Sequence, residues 1–241
     1  MRLSNNKILI TGGATGIGFG LAERFVKENN TVIICSRRET ALNEAKEKIP
    51  SLITKVADLS IESEREALLN WVSTEHSDLN VLINNAGIQQ WMSATDDNFF
   101  ERAKEELSVN VEAPVHLASL FARLPSINTI INVSSGLSFS PLSKTPVYSA
   151  SKAFIHSYTQ SLRYILRAKN IEVIELIPPA LNTDLGGKGI HDHAPPVSDF
   201  IKSVFEQLKQ GKLEVTFGYT ETMLQAGRED LQQSFNRLNP A

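Results

Sequence analysis

Cysteine is almost absent from this sequence of 241 residues, in which Cys35 is the only one. A single cysteine cannot form an intramolecular disulfide, and cysteine-rich metal sites are excluded. The formal net charge is only −3, which gives no strong overall attraction to nucleic acid or to an anionic membrane. Long apolar runs are also missing, since the first one, residues 8–10, is too short for a signal peptide or a membrane span. We therefore expect a cytoplasmic protein that binds neither nucleic acid nor membrane.

Short β-branched runs alternate with longer helical patterns along the chain. The apolar residues of the runs are nearly continuous, as in strands that a parallel sheet buries on both faces. Predicted strands cover residues 7–10, 31–35, 53–57, 81–84, 129–133, 172–177 and 213–217, and predicted helices cover residues 17–28, 39–48, 62–74, 99–121, 147–169, 200–210 and 228–237. This alternation predicts right-handed βαβ units and a doubly wound α/β sheet. No linker or repeat interrupts it, so we expect one domain over residues 1–241.

One change of composition occurs late in the chain, where residues 186–198 are rich in Gly, His and Pro. It predicts a surface loop over a site, and we expect a substrate loop around residues 184–200. His191 and His193 flank Asp192 in this loop. Although His-x-His can ligate zinc, no third ligand is evident, so we expect a lid over the substrate and no metal.

The first predicted strand runs into the glycine-rich stretch TGGATGIG of residues 11–18, and a helical pattern follows at once. Gly12 permits a tight turn, Gly16 lets backbone N–H groups approach a pyrophosphate, and Gly18 allows the helix to pack closely on the sheet. The helix N-terminus then favours the anion. The first gap is one residue longer than in the common G-x-G-x-x-G pattern, and a simple glycine-rich turn is the alternative. The context favours a dinucleotide-binding loop.

The second predicted strand is followed by Ser36, Arg37 and Arg38. At this place, about 20 residues after the glycines, many dinucleotide sites carry an acid that binds the ribose 2′-hydroxyl. A carboxylate would repel a 2′-phosphate, whereas an arginine can bind it with two hydrogen bonds. The alternative is that both arginines are simply solvated at a helix start, where positive charge is unfavourable. We therefore predict NADP(H) as the cofactor.

Tyr148 and Lys152 are four residues apart in a helical pattern, so they lie on one face, one turn apart. A phenol with a pKa of about 10 is a poor acid or base near neutrality. An ammonium about 4 Å away could lower that pKa by as much as about 3 units. A tyrosine tuned in this way could give a proton to a carbonyl oxygen, or remove one in the reverse reaction. Chance placement of the two residues on an amphipathic helix is the alternative.

Several further motifs accompany this pair in order along the chain: residues 11–18, the NNAG stretch of residues 84–87, Asn110, the serine pair 134–135, and the Tyr148-x-x-x-Lys152 spacing. Together they resemble the ordered motif set of the short-chain dehydrogenase/reductase family. The resemblance implies a single Rossmann-like domain in three αβα layers with a seven-stranded parallel sheet. The cofactor contacts expected from the loop, the arginine stretch and the resemblance are Gly12, Thr15, Gly16, Ile17, Gly18, Ser36, Arg37, Arg38, Asp58, Asn84, Ala86, Gly87, Tyr148, Lys152, Pro178, Leu181 and Thr183.

The resemblance also implies the catalytic roles. Tyr148 would be the acid/base, and Lys152 would bind the nicotinamide ribose and tune the tyrosine. Ser135, chosen over Ser134 for its distance of thirteen residues from Tyr148, would hold the substrate oxygen. Asn110 would bend its helix and hold a water that links Lys152 to solvent. Asp58 would contact the adenine, and Thr183 would hold the nicotinamide carboxamide.

Within the family, residues 79–91 and 181–187 resemble the bacterial DltE-like oxidoreductases. Two departures from the family pattern stand out. Pro178-Pro179 replaces the usual Pro-Gly, which predicts a different local turn, and residues 213–219 lack the paired glycines common near the last strand.

Three functions remain open from the sequence. The preferred one is an NADP-dependent dehydrogenase/reductase that acts on a small carbonyl or alcohol substrate. An NAD-dependent alcohol dehydrogenase is disfavoured by the arginines, and a catalytically silent NADPH-binding sensor is disfavoured by the complete set of catalytic residue types. The helices predicted over residues 99–121 and 147–169 carry apolar residues on more than one face, and the family pairs these helices. We therefore expect a homodimer or homotetramer.

Overall fold

The computed structural model describes residues 1–240, within which seven strands form one parallel sheet in the order β3-β2-β1-β4-β5-β6-β7. The strands are β1 (Lys7–Thr11), β2 (Thr31–Ser36), β3 (Ile53–Val56), β4 (Val81–Asn84), β5 (Thr129–Val133), β6 (Glu172–Ile177) and β7 (Glu214–Thr216). The chain builds outward from β1 to one edge, returns to β4, and then builds to the other edge. The predicted Rossmann-like, doubly wound parallel sheet is confirmed.

Helices cover both faces of the sheet. They are α1 (Gly16–Lys27), α2 (Glu39–Lys48), α3 (Glu62–Glu75), α4 (Phe99–Leu107), α5 (Ala113–Phe121), α6 (Pro146–Leu166), α7 (Val197–Lys209), α8 (Tyr219–Gln225) and α9 (Arg228–Leu238). Because side chains alternate along a strand, Ile8 and Ile10 of β1 join the core beneath α1, α2 and α7, whereas Leu9 joins the core beneath α3, α5 and α6. Among the described residues, no helix combines the length and apolar character needed to span a membrane.

The structure differs from the sequence predictions at three places. β3 is an edge strand paired only with β2, and helices do not bury it on both faces, since its first three residues are half-buried and Val56 is 50% exposed. The helix predicted over residues 99–121 is interrupted by a π-helical turn, Ser108–Glu112, between α4 and α5. Pro114 has no N–H to donate to the Asn110 carbonyl, which accounts for a break in the α-helical hydrogen bonds there. The short helix α8 was not predicted.

The crossover point of the chain lies between β1 and β4, which are neighbours in the sheet. Connections on either side of this point leave the sheet toward opposite faces, so a crevice opens at the carboxyl ends of the strands. The loops that follow β1, β2, β3, β4 and β6 all reach this edge. The fold therefore gathers the predicted motifs, which are far apart in sequence, around one crevice.

Candidate active site

A cleft of about 970 Å³ occupies the carboxyl edge of the sheet. This is within the range of cofactor and ligand pockets. Of the predicted cofactor contacts, those that line the cleft are Gly12, Thr15, Gly16, Ile17, Ser36, Arg37, Arg38, Asp58, Ala86, Gly87, Tyr148, Lys152, Pro178 and Thr183. The cleft thus runs from the arginines after β2, past the glycine loop, to the tyrosine on α6.

The glycine loop has the geometry of an anion-binding turn. Gly12 and Gly16 adopt positive φ angles of 62° and 55°, which side-chain-bearing residues rarely adopt. A Cβ at Gly18 would lie 2.4 Å from the Gly12 carbonyl oxygen, so only glycine lets α1 start this close to the loop. Thr15 precedes α1 without capping it through its side chain, and the first turn carries no acid. The N–H groups at the start of α1 are therefore available to a phosphate.

The far end of the cleft carries the two arginines. Arg37 and Arg38 are exposed, and within residues 1–240 neither guanidinium forms a salt bridge. The Ser36 hydroxyl accepts a hydrogen bond from the Arg38 backbone N–H at 3.2 Å and so shapes the turn. Although burial opposes it, hydrogen bonds from Ser60 and the charge of Arg37 lower the pKa of Asp58. This end of the cleft can receive an anionic group.

The predicted acid/base pair lies at the opposite end. Tyr148 and Lys152 are almost fully buried on α6, and the Lys152 Nζ is 5.6 Å from the centre of the Tyr148 ring. The sequence predicted a phenol pKa lowered by the ammonium, but the net shift of the phenol pKa runs in the opposite direction. Burial raises the pKa of Tyr148, and the interaction with the Ser135 hydroxyl only partly offsets it. The phenol is therefore held in its protonated form, as a proton donor must be.

The ammonium of Lys152 is itself in an unfavourable environment. Its Nζ donates a hydrogen bond of 2.9 Å to the Val133 carbonyl at the end of β5. Burial nevertheless lowers the pKa of Lys152 from 10.5 to about 8, because the charged form is poorly solvated there. The side chain is thus anchored at the floor of the cleft, one helical turn from the phenol.

Asn110 lies in the π-helical turn, next to this lysine. Its side chain pairs with the backbone of Ile88, accepting from the N–H at 2.9 Å and donating to the carbonyl at 2.8 Å, and it also donates to the Ser151 hydroxyl at 3.2 Å. A Cβ at Gly87 would approach both the Asn110 Oδ1, at 3.3 Å, and the Lys152 Nζ, at 3.5 Å. Asn110 therefore joins the loop after β4 to α6, and glycine keeps the space beside the lysine open.

Three predicted cofactor residues do not line the cleft. Gly18 lies beneath the glycine loop, close to the Gly12 carbonyl. Leu181 is 3% exposed and lies within the hydrophobic core. The Asn84 side chain is also buried, and it donates a hydrogen bond of 2.9 Å to Asn132 on the neighbouring strand. For Leu181 and Asn84, both side chains point into the protein, so the predicted cofactor contacts stay a prediction that only their backbone atoms could meet.

The two serines after β5 have different surroundings. The Ser135 hydroxyl accepts from the Leu137 backbone N–H at 3.1 Å and interacts with the Tyr148 phenol, whereas of the two serines Ser134 is the one among the residues that line the cleft. The Ser134 hydroxyl instead donates to Glu175, a fully buried carboxylate on β6. His156 on α6 meets the same carboxylate at 3.0 Å. The sequence did not predict this Ser134–Glu175–His156 array: Glu175 lies within a strand predicted to be buried, but nothing local shows which side chains meet it.

The substrate side of the cleft is closed by two loops. After β4, Gln89 and Gln90 line the cleft, and after β6 residues 184–187 line it. The Trp91 indole N–H donates a hydrogen bond of 3.1 Å to the Gly186 carbonyl and joins the two loops. Gly186, Gly187 and Gly189 have positive φ angles, so this part of the predicted substrate loop needs glycine.

Known proteins share both the sequence and the fold. The family model described as short chain dehydrogenase matches residues 6–193. The chain is 40% identical over 251 aligned positions to the uncharacterized oxidoreductase DltE of Bacillus subtilis (strain 168), covering 99% of this chain and 98% of that protein.

Solved structures extend the match to the whole architecture. A short chain dehydrogenase from Burkholderia cenocepacia J2315, in complex with NADP, has a TM-score of 0.85 at 24% identity, covering 98% of this chain and 99% of the other. A short chain dehydrogenase/reductase from Burkholderia phymatum, in complex with NAD, has a TM-score of 0.83 at 19% identity, covering 100% and 99%. At these identities the likeness shows the fold alone. Because the family model covers most of the chain and the Bacillus relative covers nearly all of it, this protein belongs to the short-chain dehydrogenase/reductase family of oxidoreductases.

Proposed function

We propose that the protein is an NADP(H)-dependent dehydrogenase/reductase that interconverts a carbonyl and an alcohol on a small molecule. The observation that carries the proposal is the cleft that joins an anion-binding glycine loop to the buried Tyr148–Lys152 pair. The Ser135 hydroxyl interacts with the same phenol. A binding protein would not need a protonated phenol at the end of its cofactor cleft. Complete retention of these residue types therefore favours an enzyme over a silent sensor.

The cleft fits a dinucleotide. Its glycine loop has no room for a Cβ at Gly12, Gly13 or Gly18, and it presents the unoccupied N–H groups of α1 to a pyrophosphate. Asp58 and Ala86 border the part where an adenosine would lie, and Thr183 is close to Gly16, across the loop. When bound, a nicotinamide supplies or accepts the hydride. The residues of the chain hold it and manage the proton.

The proposed preference for NADP(H) is supported by charge. Arg37 and Arg38 stand at the cleft where an acid would exclude a 2′-phosphate, and neither is neutralised by a salt bridge within residues 1–240. A free guanidinium can form two hydrogen bonds to a phosphate. Family neighbours occur with either nicotinamide, so this preference depends on the arginines alone.

In carbonyl reduction, Tyr148 donates its phenolic proton to the substrate oxygen while hydride adds to the carbonyl carbon. Ser135 holds that oxygen beside the phenol. Lys152 lies close enough to the tyrosine to stabilise the phenolate that forms, which partly offsets the cost of creating a charge in a buried place. The reverse reaction uses the same residues, with the phenolate as base.

A homodimer is proposed as the assembly. Phe100 and Leu107 on α4 are 65% and 40% exposed, and Phe154 and Ile165 on α6 are 46% and 64% exposed. Apolar side chains exposed on two neighbouring helices favour burial against a second copy. The family likeness points to the same pair of helices.

The decisive test is oxidation of NADPH in the presence of a panel of aldehydes and ketones. We expect carbonyl-dependent turnover, and Tyr148→Phe should reduce kcat by about 10²–10⁴-fold while NADPH affinity changes little, because only the proton donor is lost. NADPH binding without turnover on any carbonyl or alcohol would favour the sensor. Near-normal kcat in Tyr148→Phe would mean that another group is the acid.

A further inference from the structure

Asn239, the residue that follows α9, is bonded to the segment that leads into α6. Its Oδ1 accepts a hydrogen bond of 2.6 Å from the Ser143 backbone N–H, and its Nδ2 donates to the Pro141 carbonyl at 3.0 Å. The same Nδ2 also donates to the Phe235 carbonyl on α9 at 2.8 Å. One side chain therefore fastens the end of α9 to residues 141–145, the segment directly before α6.

The segment of residues 141–145 is bonded in turn to the loop after β4. The Lys144 carbonyl accepts a hydrogen bond of 3.0 Å from the backbone N–H of Met92, which is buried. Trp91, the preceding residue, donates its indole N–H to the Gly186 carbonyl in the loop after β6. A continuous row of residues thus connects the end of α9 to the two loops that close the substrate side of the cleft. We call this row the brace, and its members are Asn239, Ser143, Lys144, Met92, Trp91 and Gly186.

The Trp91–Gly186 bond is the only hydrogen bond between residues 88–92 and residues 184–187 within the described part of the chain, residues 1–240. Gly186 has a positive φ of 81°, and a Cβ there would lie 2.8 Å from the Gln89 Nε2 and 3.2 Å from the Trp91 Nε1. Glycine therefore lets the two loops come close enough to bond. Because the bond joins loops that both line the cleft, separating them to admit or release a substrate must break it.

The loop after β4 is held from two sides. On one side, Arg102 of α4 donates to the Trp91 carbonyl at 2.6 Å and to the Gln90 side chain at 2.8 Å. On the other side, the loop is held through Met92 and the rest of the brace. Loss of the second support should let Trp91 move away from Gly186 more often, so the closed arrangement of the two loops should be less populated.

We propose that Asn239 and Trp91 are positioning residues that keep the substrate side of the cleft closed, Trp91 directly and Asn239 through the brace. This inference rests on the proposed function. When a substrate is retained only by the closed arrangement, its apparent dissociation constant rises as the closed fraction falls. Weakening the brace should therefore raise KM for the carbonyl. Chemistry in the closed complex is unaltered, so kcat should stay nearly unchanged.

The kinetic test compares Asn239→Ala with Asn236→Ala, which removes the same amide from an exposed position on α9. Trp91→Phe retains an aromatic ring but has no N–H to donate. Asn239→Ala and Trp91→Phe should each raise KM about fivefold, the change that one net hydrogen bond makes in an equilibrium, whereas Asn236→Ala should match the wild type. The double variant should also show about a fivefold rise, because both residues act on the same closure. Independent effects would multiply to about 25-fold.

A second measurement does not need turnover. The chain has two tryptophans, so Trp71→Phe leaves Trp91 as the only source of indole fluorescence. In that background, acrylamide should quench Trp91 more strongly after Asn239→Ala than after Asn236→Ala, because an indole released from Gly186 is more accessible to the quencher.

Equal quenching in the two asparagine variants would overturn the inference. It would also be overturned by an unchanged KM in Asn239→Ala, by a kcat that falls while KM stays the same, or by a 25-fold effect in the double variant. Stronger quenching after Asn239→Ala in a protein that reduces no carbonyl would support the brace and overturn the proposed function instead.

Discussion

Lys152 should support the reaction but destabilise the folded protein. The variant Lys152→Met measures how much folding stability the buried ammonium removes. The pKa of the buried ammonium falls from 10.5 to about 8. At about 1.4 kcal/mol per pKa unit, this shift of about 2.5 units corresponds to about 3 kcal/mol of stability. Methionine fills similar space without the charge, but it leaves the Val133 carbonyl without its donor, which costs about 1 kcal/mol. We expect a net gain of about 2 kcal/mol near pH 7, or a rise in Tm of about 4–8 °C.

The dependence on pH identifies the cause. A basic group with a lowered pKa in the folded state destabilises the protein fully below that pKa, and the penalty disappears as the pH rises toward the unfolded value. The penalty of the ammonium should therefore be complete at pH 7 and fall below about 1 kcal/mol by pH 10. Thermal unfolding followed by circular dichroism at both pH values is the assay, with exposed Lys202→Met as the matched control. A variant that is no more stable than the wild type at pH 7, or whose gain does not depend on pH, would refute the reasoning.

Three further predictions use other parts of the structure. Arg37→Asp should reverse the cofactor preference, so NADPH should bind more weakly than NADH in titrations followed by nicotinamide fluorescence; equal or tighter NADH binding by the wild type would contradict the proposal. Phe100→Glu should turn the dimer into a monomer in sedimentation velocity, because the charge would be buried against the second copy; a wild type that sediments only as a monomer at micromolar concentration would end the dimer proposal. His156→Gln should lose stability mainly at low pH, because the hydrogen bond to Glu175 raises the pKa of the histidine. The pair therefore stabilises the fold below about pH 6.5 and stabilises it less as the pH rises. An equal loss of stability at pH 5 and pH 9, measured by urea unfolding, would exclude the ion pair.

The sequence predicted the architecture well because its central strands are buried on both faces. Residues 81–84, 129–133 and 172–177 are apolar enough that their bounds agree with the structure. The edge of the sheet was less predictable. The apolar and β-branched residues of β3 do not show that this strand pairs with a neighbour on one side only. A bend at Asn110 was expected from the family resemblance, and Pro114 inside the predicted helix is a local signal for the same break.

The active site, like the fold, was only partly predictable from the sequence. Spacing alone places Tyr148 and Lys152 one turn apart, but the direction of the pKa shift depends on burial by elements that come from elsewhere in the chain. Glu106 on α4 shows this most clearly, because its side chain is fully buried although a glutamate among the charged residues of α4 has the local pattern of a solvated surface. Only the packing of α4 against α6 and the loop after β4 turns it into a buried group.

The two edges of the sheet restrict how copies of this protein can associate. Unpaired edge strands can template growth of a sheet from one molecule to the next. Here β3 has only four residues and carries Lys55, and β7 has only three residues, so neither edge offers a long, flat row of free hydrogen-bonding groups. Continuous sheets across molecules, and the fibrillar aggregates they lead to, are therefore disfavoured even at the high concentrations of a refolding or crystallisation experiment. Association is left to the helical surfaces, where contacts between two copies can close without propagating.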